Sequence, residues 1–239
     1  MHDLAERVGA ITWYHRIELP GGIVTPGVNR SSFALSTLHL PDSFAGESVL
    51  DVGAWDGFFS FEAARRGAET VLATDSFVWQ QERWGRDGFL LAREALGLEK
   101  SVKDQVIDVM ELSPDALGRR FDVVLFLGVL YHLKDPLGAL ERVASVCQGL
   151  LVLETETALN FLPYPAARLW PGRQLRNDDT NWWSLNQRAL VALLKHHGFR
   201  EVRVVYTTPL VRRLGRALKA GRHFRSGFRG CRIVIHASR

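Results

Sequence analysis

The chain has little that would staple it, coordinate a metal or anchor it in a bilayer. Of its 239 residues only two are cysteines, Cys147 and Cys231, too few for a disulfide framework or a C-x-x-C metal site. Cys147 lies in an apolar helix-to-strand stretch and reads as a packed core thiol. No apolar run approaches the roughly 20 residues needed to cross a membrane. The start, Met1-His2-Asp3-Leu4-Ala5-Glu6-Arg7, carries acids and none of the apolar stretch of a secretory leader. The expectation is a protein of the reducing cytoplasm. Internal repeats and low-complexity tracts are also absent. Hydrophobic content of 46% against 23% charged residues is ordinary for a globular protein, and the length suits one large domain or a domain with additions.

One sign of charge is missing from the last segment. From Pro209 to Arg239 there is no Asp or Glu, while nine basic residues occur: Arg212, Arg213, Arg216, Lys219, Arg222, Arg225, Arg229, Arg232 and Arg239. Formal net charge is +4, so the rest of the chain is net acidic and the basicity belongs to this segment. Leu210, Val211, Leu214 and Leu218 recur there at helical spacing. The plain reading is a helix packed on a sheet edge with a solvated basic face; the alternatives are a phosphate-binding surface and a surface that docks on a membrane or an acidic partner.

Between these limits strand and helix signals alternate, the pattern of a parallel sheet covered on both faces. Strands are expected at Ser48–Val52, Thr70–Thr74, Gln105–Val109, Asp122–Leu127, Leu150–Glu154, Glu201–Tyr206 and Cys231–His236. Helices are expected near Phe58–Arg66, Gln81–Leu96, Pro136–Val146 and Gln187–His197, with glycines 67, 97 and 198 as stops and Pro136 in a first turn. Residues 1–45 read as an N-terminal arm: Leu4, Val8 and Ile11 mark a short helix, then Trp13-Tyr14-His15 precede Pro-Gly turns. Residues 157–182 interrupt the alternation with prolines and aromatics, and 209–229 form a second addition to a domain of 46–239.

The segment Ser48-Val49-Leu50-Asp51-Val52-Gly53-Ala54-Trp55-Asp56-Gly57-Phe58-Phe59 is a buried strand, a glycine turn and a helix start. It lacks the G-x-G-x-x-G of a dinucleotide fingerprint, and Trp55 with Asp56 makes a poor cradle for a pyrophosphate. A second acid, Asp75, closes the next strand. Acids at the ends of adjacent strands beside a glycine turn suit a nucleoside, one of them toward the ribose hydroxyls. A cationic ligand with an amino-acid tail fits better than a phosphate.

This pattern resembles the class I S-adenosylmethionine-dependent methyltransferases, with Trp55 in place of the middle glycine of their first motif. The likeness extends through Asp75, through Val106-Ile107-Asp108-Val109 as the strand end beside the adenine, and through Phe121–Gly128. It implies a Rossmann-like seven-stranded, mostly parallel sheet with an antiparallel last strand. It also implies S-adenosylmethionine as cofactor, S-adenosylhomocysteine as product, and cofactor contacts at Asp51, Gly53, Trp55, Gly57, Asp75, Asp108, Val109, Leu127 and Tyr131. Gly128-Val129-Leu130-Tyr131-His132-Leu133-Lys134-Asp135-Pro136 and Asn181-Trp182-Trp183-Ser184-Leu185-Asn186 resemble the tRNA wobble-uridine carboxymethyltransferase group and its small-molecule relatives. Members that use a carboxylated cofactor hold its carboxylate with a Lys, a Tyr and an Arg. Here no Lys precedes Lys100, which points to ordinary S-adenosylmethionine.

An alcohol acceptor must lose its proton, and histidine is the natural base near neutrality. His132, after the fourth strand, is the candidate; the competing reading is a cap for the helix that starts at Pro136. Glu154 and Glu156, at the end of strand five, are candidates to orient the base or to bind an acceptor hydroxyl, and the competing reading for both, above all for Glu156, is a solvated strand end. Asp178 and Asp179 beside Trp182 suit a sugar, acids on hydroxyls and an indole on the C–H face; a bland loop ranks next and a magnesium site third. Trp13, Tyr14 and His15 are held equally as acceptor contacts and as anchors of the arm. No metal is assigned. An Asn/Asp-Pro-Pro-Tyr-like turn is absent after strand four, which favours oxygen over nitrogen as acceptor. The leading expectation is an O-methyltransferase acting on a small polar acceptor such as a sugar or oligosaccharide. The Arg-rich composition of GC-rich genomes makes a methylated mannoside of an actinobacterial polysaccharide one specific case. The alternative is a tRNA wobble-uridine-modifying methyl- or carboxymethyltransferase, and a non-catalytic docking protein is the third.

Overall fold

The structure, a computed structural model, describes residues 2–219 and 231–239. Arg222, Arg225 and Arg229 of the basic segment lie outside the described residues, as does part of the expected 209–229 addition. The elements run α1 (His2–Gly9), β1 (Glu18–Leu19), β2 (Ile23–Val24), α2 (Ser31–Leu38), β3 (Ser48–Val52), α3 (Phe58–Arg65), β4 (Thr70–Asp75), α4 (Asp87–Ala95), β5 (Val102–Val106), α5 (Pro114–Leu117) and β6 (Phe121–Leu127). They continue with α6 (Pro136–Val146), β7 (Cys147–Thr157), β8 (Ala167–Leu169), β9 (Trp183–Leu185), α7 (Gln187–His196), β10 (Glu201–Thr207), α8 (Leu210–Lys219) and β11 (Cys231–Ser238).

Among the described residues seven strands form one sheet in the order β5-β4-β3-β6-β7-β11-β10. β3, β4 and β5 pair in parallel, while β11 runs antiparallel to both β7 and β10. The expected Rossmann-like α/β fold with an antiparallel last strand is therefore present, and that last strand inserts between its neighbours. Two short hairpin-like pairs, β1 with β2 and β8 with β9, stand apart from it. The chain divides into two compact units, residues 1–125 with 146–148, and residues 126–145 with 149–239.

In the first unit β3, with Val49, Leu50 and Val52 between Ser48 and Asp51, is buried along its whole length, as expected of a strand covered on both faces. Two expectations shift here. The helix read over Gln81–Leu96 begins only at Asp87, because Gly85 takes a left-handed turn, φ 62°, that an α-helix cannot continue through. The strand read at Gln105–Val109 is Val102–Val106; its polar Lys103, Asp104 and Gln105 belong to a half-exposed edge strand, which hides the apolar signal. Cys147, in the first unit, and Cys231, in the second, are both buried thiols; in the second unit α7 begins at the cap Asn186, whose side chain accepts the Ala189 amide. On α8, Leu210, Val211 and Leu218 are exposed, so those apolar positions do not pack on the sheet edge. Among the described residues no helix is long and apolar enough to cross a membrane.

Candidate active site

The loop leaving β3 follows a glycine path even where glycine is absent. Gly53 has φ 80°, and its amide and that of Ala54 donate to the Thr74 carbonyl at 2.8 and 3.0 Å. Trp55 has φ 50°, a left-handed conformation that costs an L-residue roughly 1–2 kcal/mol. Its surroundings over-determine it. The Trp55 amide donates to Asp75 Oδ2 at 3.1 Å, and its carbonyl accepts from Trp79 Nε1 at 2.7 Å. Its ring stacks on Tyr14 with centroids 4.0 Å apart and meets Trp84 edge-on at 5.0 Å. Gly57, φ 83°, answers a different need: a Cβ there would lie 2.5 Å from Phe89 and 2.7 Å from Phe61. Packing beneath the loop by itself demands a glycine here.

The two strand-end acids are buried. Asp51 is 2% exposed and its Oδ2 accepts from Ser60 Oγ on α3 at 2.6 Å. Burial raises its pKa to about 7; the Ser60 hydrogen bond opposes the rise and the charge of Asp75 adds to it. Burial also pushes Asp75 upward, against the backbone amides that it accepts, including Val78 at 2.9 Å and Trp55.

Beyond the carboxyl ends of β4 and β5 opens a cleft of about 360 Å³ lined by Ser76, Phe77, Gln80, Val106, Ile107, Asp108 and Glu111. Ligands of open α/β sheets bind beyond such strand ends. Phe77 is 65% exposed, a free aromatic face. Asp108 lies past the strand, where it caps a 3₁₀ turn, Val109–Glu111, by accepting the Met110 amide; its other oxygen accepts from Ser76 Oγ at 3.2 Å. Val109 is buried, and the cleft is lined at this strand end by Val106 and Ile107. Ser76 and Phe77 were missed, although they directly follow the strand-end acid.

The arm is latched to this loop. Asp56 Oδ2 accepts the backbone amides of Tyr14 and His15 at 2.7 and 2.8 Å. Trp13 is 3% exposed and gives its indole proton to the Val8 carbonyl at 2.9 Å. His15 is buried against Phe58, ring centroids 5.8 Å apart. Trp13 and His15 thus help to anchor the arm, and both Tyr14 and His15 present a ring to the loop, His15 edge-on to Trp55 with centroids 6.4 Å apart.

In the second unit β6 ends at the half-buried Leu127, and a 3₁₀ turn, Leu130–His132, follows. Tyr131 Oη accepts from Arg232 Nη2 at 2.8 Å. The same guanidinium places Nη1 at 2.9 and 2.8 Å from the two Glu154 oxygens and Nε at 3.2 Å from Glu156. Glu156 also pairs with Arg176. Burial works against the Arg232 charge, but Glu154, Tyr131 and Glu156 outweigh it and hold the guanidinium protonated well above its usual range. Glu154 therefore orients an arginine, not an imidazole, and Glu156, 1% exposed, is no solvated strand end. Arg232 and Arg176 were not singled out from the sequence; no local pattern marks a partner on a distant strand or loop.

His132 does not cap α6, since Asp135 accepts the Gly138 amide at 2.9 Å. Its Nδ1 lies 2.9 Å from Thr180 Oγ1 and 3.2 Å from the Thr180 carbonyl, and burial lowers its pKa. Asp178 Oδ1 accepts the Thr180 amide and hydroxyl at 2.9 and 2.7 Å. The Trp182 amide donates to the Tyr131 carbonyl at 2.8 Å, and Lys134 sits 5.1 Å from the Trp182 ring centre. Asp178 and Trp182 are thus gathered at the His132 turn, while Asp179 is exposed and paired loosely with Arg173 at 3.4 Å. Among the described residues no group of three His, Cys, Asp or Glu side chains is placed to hold a metal ion.

A family model described as a methyltransferase domain matches residues 29–204. The tRNA U34 carboxymethyltransferase of Colwellia psychrerythraea is 29% identical over 184 residues, 74% of this chain and 52% of that protein. That of Dichelobacter nodosus is 34% identical over 116 residues, 47% of this chain and 34% of that protein. The chain thus spans about half or less of the length of these curated relatives. Among solved structures, the N-terminal domain of EvdMO1, in the presence of SAH and D-fucose, superposes with a TM-score of 0.69 at 21% identity, covering 99% of this chain and 96% of that one.

Proposed function

The chain belongs to the class I S-adenosylmethionine-dependent methyltransferases, and from that premise we propose that it transfers a methyl group to a hydroxyl oxygen of a polar acceptor. The cleft beside β4 and β5 fits the nucleoside end of the cofactor: Phe77 offers a face to the adenine, and Asp75 ends the strand at the cleft's edge, where ribose hydroxyls would compete with the backbone amides it accepts. Asp51, Gly53 and Trp55 suit the cationic amino-acid end. When bound, S-adenosylmethionine supplies a sulfonium methyl whose bond to sulfur breaks with its electron pair toward sulfur. The chain's own residues must then position the acceptor and take its proton. His132 suits the second task. Its Nδ1 is held at Thr180, 2.9 Å from the hydroxyl and 3.2 Å from the carbonyl, and that placement after β6 carries the reading of His132 as the base; burial lowers its pKa and favours the neutral imidazole. Residues 1–45 act as an arm on the cofactor loop, and 46–239 as the catalytic domain with additions at 157–182 and 209–229.

The donor is ordinary S-adenosylmethionine. Carboxymethyl-transferring relatives use a lysine to hold the donor's carboxylate, and no lysine precedes Lys100 in this chain; Arg232 is already paired with Glu154 and Glu156. Two acceptor classes remain. The sequence relatives favour a tRNA wobble uridine, and the basic residues of the last segment agree with it. A sugar hydroxyl is supported by Trp182 and Asp178 at the His132 turn and by the D-fucose present with the structural neighbour.

Incubation with methyl-tritiated S-adenosylmethionine and fractionated lysate separates the readings. Label in bulk tRNA selects the uridine reading, and label in carbohydrate the sugar reading. Label in neither, with S-adenosylhomocysteine binding intact, refutes methyl transfer to both classes. His132→Ala should abolish turnover and leave cofactor affinity unchanged.

A further inference from the structure

We propose that Asp178, acting through Thr180, fixes the tautomer of His132 so that Nε2 is the proton-accepting nitrogen. The inference rests on the reading of His132 as the base. The Thr180 carbonyl, 3.2 Å from His132 Nδ1, can only accept. The Thr180 hydroxyl, 2.9 Å from the same nitrogen, is free in principle to donate or accept. Asp178 removes that freedom: Oδ1 accepts the hydroxyl proton at 2.7 Å, so the oxygen turns a lone pair toward the imidazole. Two acceptors then face Nδ1, which must carry the proton, and the Nε2 lone pair is left for the acceptor. Among the described residues no hydrogen bond reaches Nε2.

The loop that supplies this relay is held in advance. Arg176 and Asn177 both adopt left-handed backbone, φ 56° and 57°, and the buried Asn181 side chain donates to the Leu175 carbonyl at 2.9 Å. Strain of this kind persists where the surroundings over-determine it. The relay also matches the charge that develops. When Nε2 takes the hydroxyl proton, the imidazole becomes an imidazolium, and the carboxylate of Asp178 favours it through Thr180. Arg232, on β11, opposes it, and Tyr131 adds only its ring, 4.2 Å from the imidazole. Asp178 is accordingly a positioning residue and touches no reacting atom.

Nitrogen-15 spectra of the full chain with labelled histidine, the His132 signals assigned by their loss in His132→Gln, read the tautomer without turnover. Wild-type His132 is expected as the Nδ1–H form above its pKa. Asp178→Ala frees the Thr180 hydroxyl to donate and shifts the population toward Nε2–H; Thr180→Ser retains the wild-type form. Transfer to whichever lysate fraction accepts label should fall on the order of a hundredfold in Asp178→Ala, with S-adenosylhomocysteine affinity unchanged. The acid limb of its pH profile should move to lower pH, and Thr180→Ser should stay near wild type. A wild-type Nε2–H form, or an Asp178→Ala protein with unchanged tautomer and rate, overturns the proposal. Full turnover in His132→Ala would instead remove the base assignment on which it rests.

Discussion

Replacing Asp51 by Asn should flatten the pH dependence of stability, and the size of the effect follows from burial. The carboxyl is 2% exposed, has one hydroxyl partner and has a folded-state pKa of about 7 against an ordinary 3.8. Between those values the folded protein holds a proton that the unfolded chain has released. The stability due to this group is therefore complete below about pH 4, and it is lost as pH rises through 7. One pKa unit corresponds to about 1.4 kcal/mol, so the loss from this residue between pH 5 and 8 is about 2.5 kcal/mol. Asn keeps the shape and an oxygen for Ser60 but has no charge to bury. Urea unfolding followed by tryptophan fluorescence at pH 5, 6, 7 and 8 measures the difference. The wild-type midpoint should fall relative to Asp51→Asn by roughly 1 M across that range. Parallel curves for the two proteins would refute the claim that Asp51 is buried without a compensating cation in the ligand-free protein.

Phe77→Ala should weaken S-adenosylhomocysteine binding about tenfold by calorimetry, from one lost stacking face, with an unchanged melting temperature because the ring is exposed; unchanged affinity would move the adenine out of this cleft. Trp55→Gly and Trp55→Ala both lose the stack on Tyr14, so both should release the arm to limited proteolysis. Glycine relieves the left-handed backbone, so it should leave the protein about 1 kcal/mol more stable than alanine does; equal melting temperatures would count against backbone strain at this position. Arg232→Met strands Glu154, 11% exposed in its side chain, leaves the buried Glu156 with Arg176 alone, and should cost about 3–5 kcal/mol. Part of that loss should return in Arg232→Met/Glu154→Gln, and no gain in melting temperature over Arg232→Met would point to a cause other than the uncompensated carboxylate.

The strand–turn–helix around Asp51 was legible because its signals are local: a largely apolar strand closed by an acid, glycines at fixed offsets, and a second acid one strand later. The same locality gave α6, from Pro136 at its start, and the stop at Gly198. Edge elements were displaced, since β5 is half solvated and carries no apolar run. Side-chain roles divided differently. Trp13 and His15 looked as available as Tyr14, because sequence spacing does not say which ring turns inward. Asp56 read as an obstacle to phosphate, and in the fold it accepts two amides of the arm some 41 and 42 positions away.

By itself the sequence determined the order of the sheet-forming segments, the cofactor loop and the histidine after β6, since each depends on neighbours within a turn or a strand. Tertiary structure alone decided what those groups face. Arg232 reaches Tyr131 across 101 positions and Glu154 across 78, and Thr180 reaches His132 across 48. Hydrogen bonds and ion pairs act over about 3 Å, and only the folded chain brings residues so far apart in sequence to that distance.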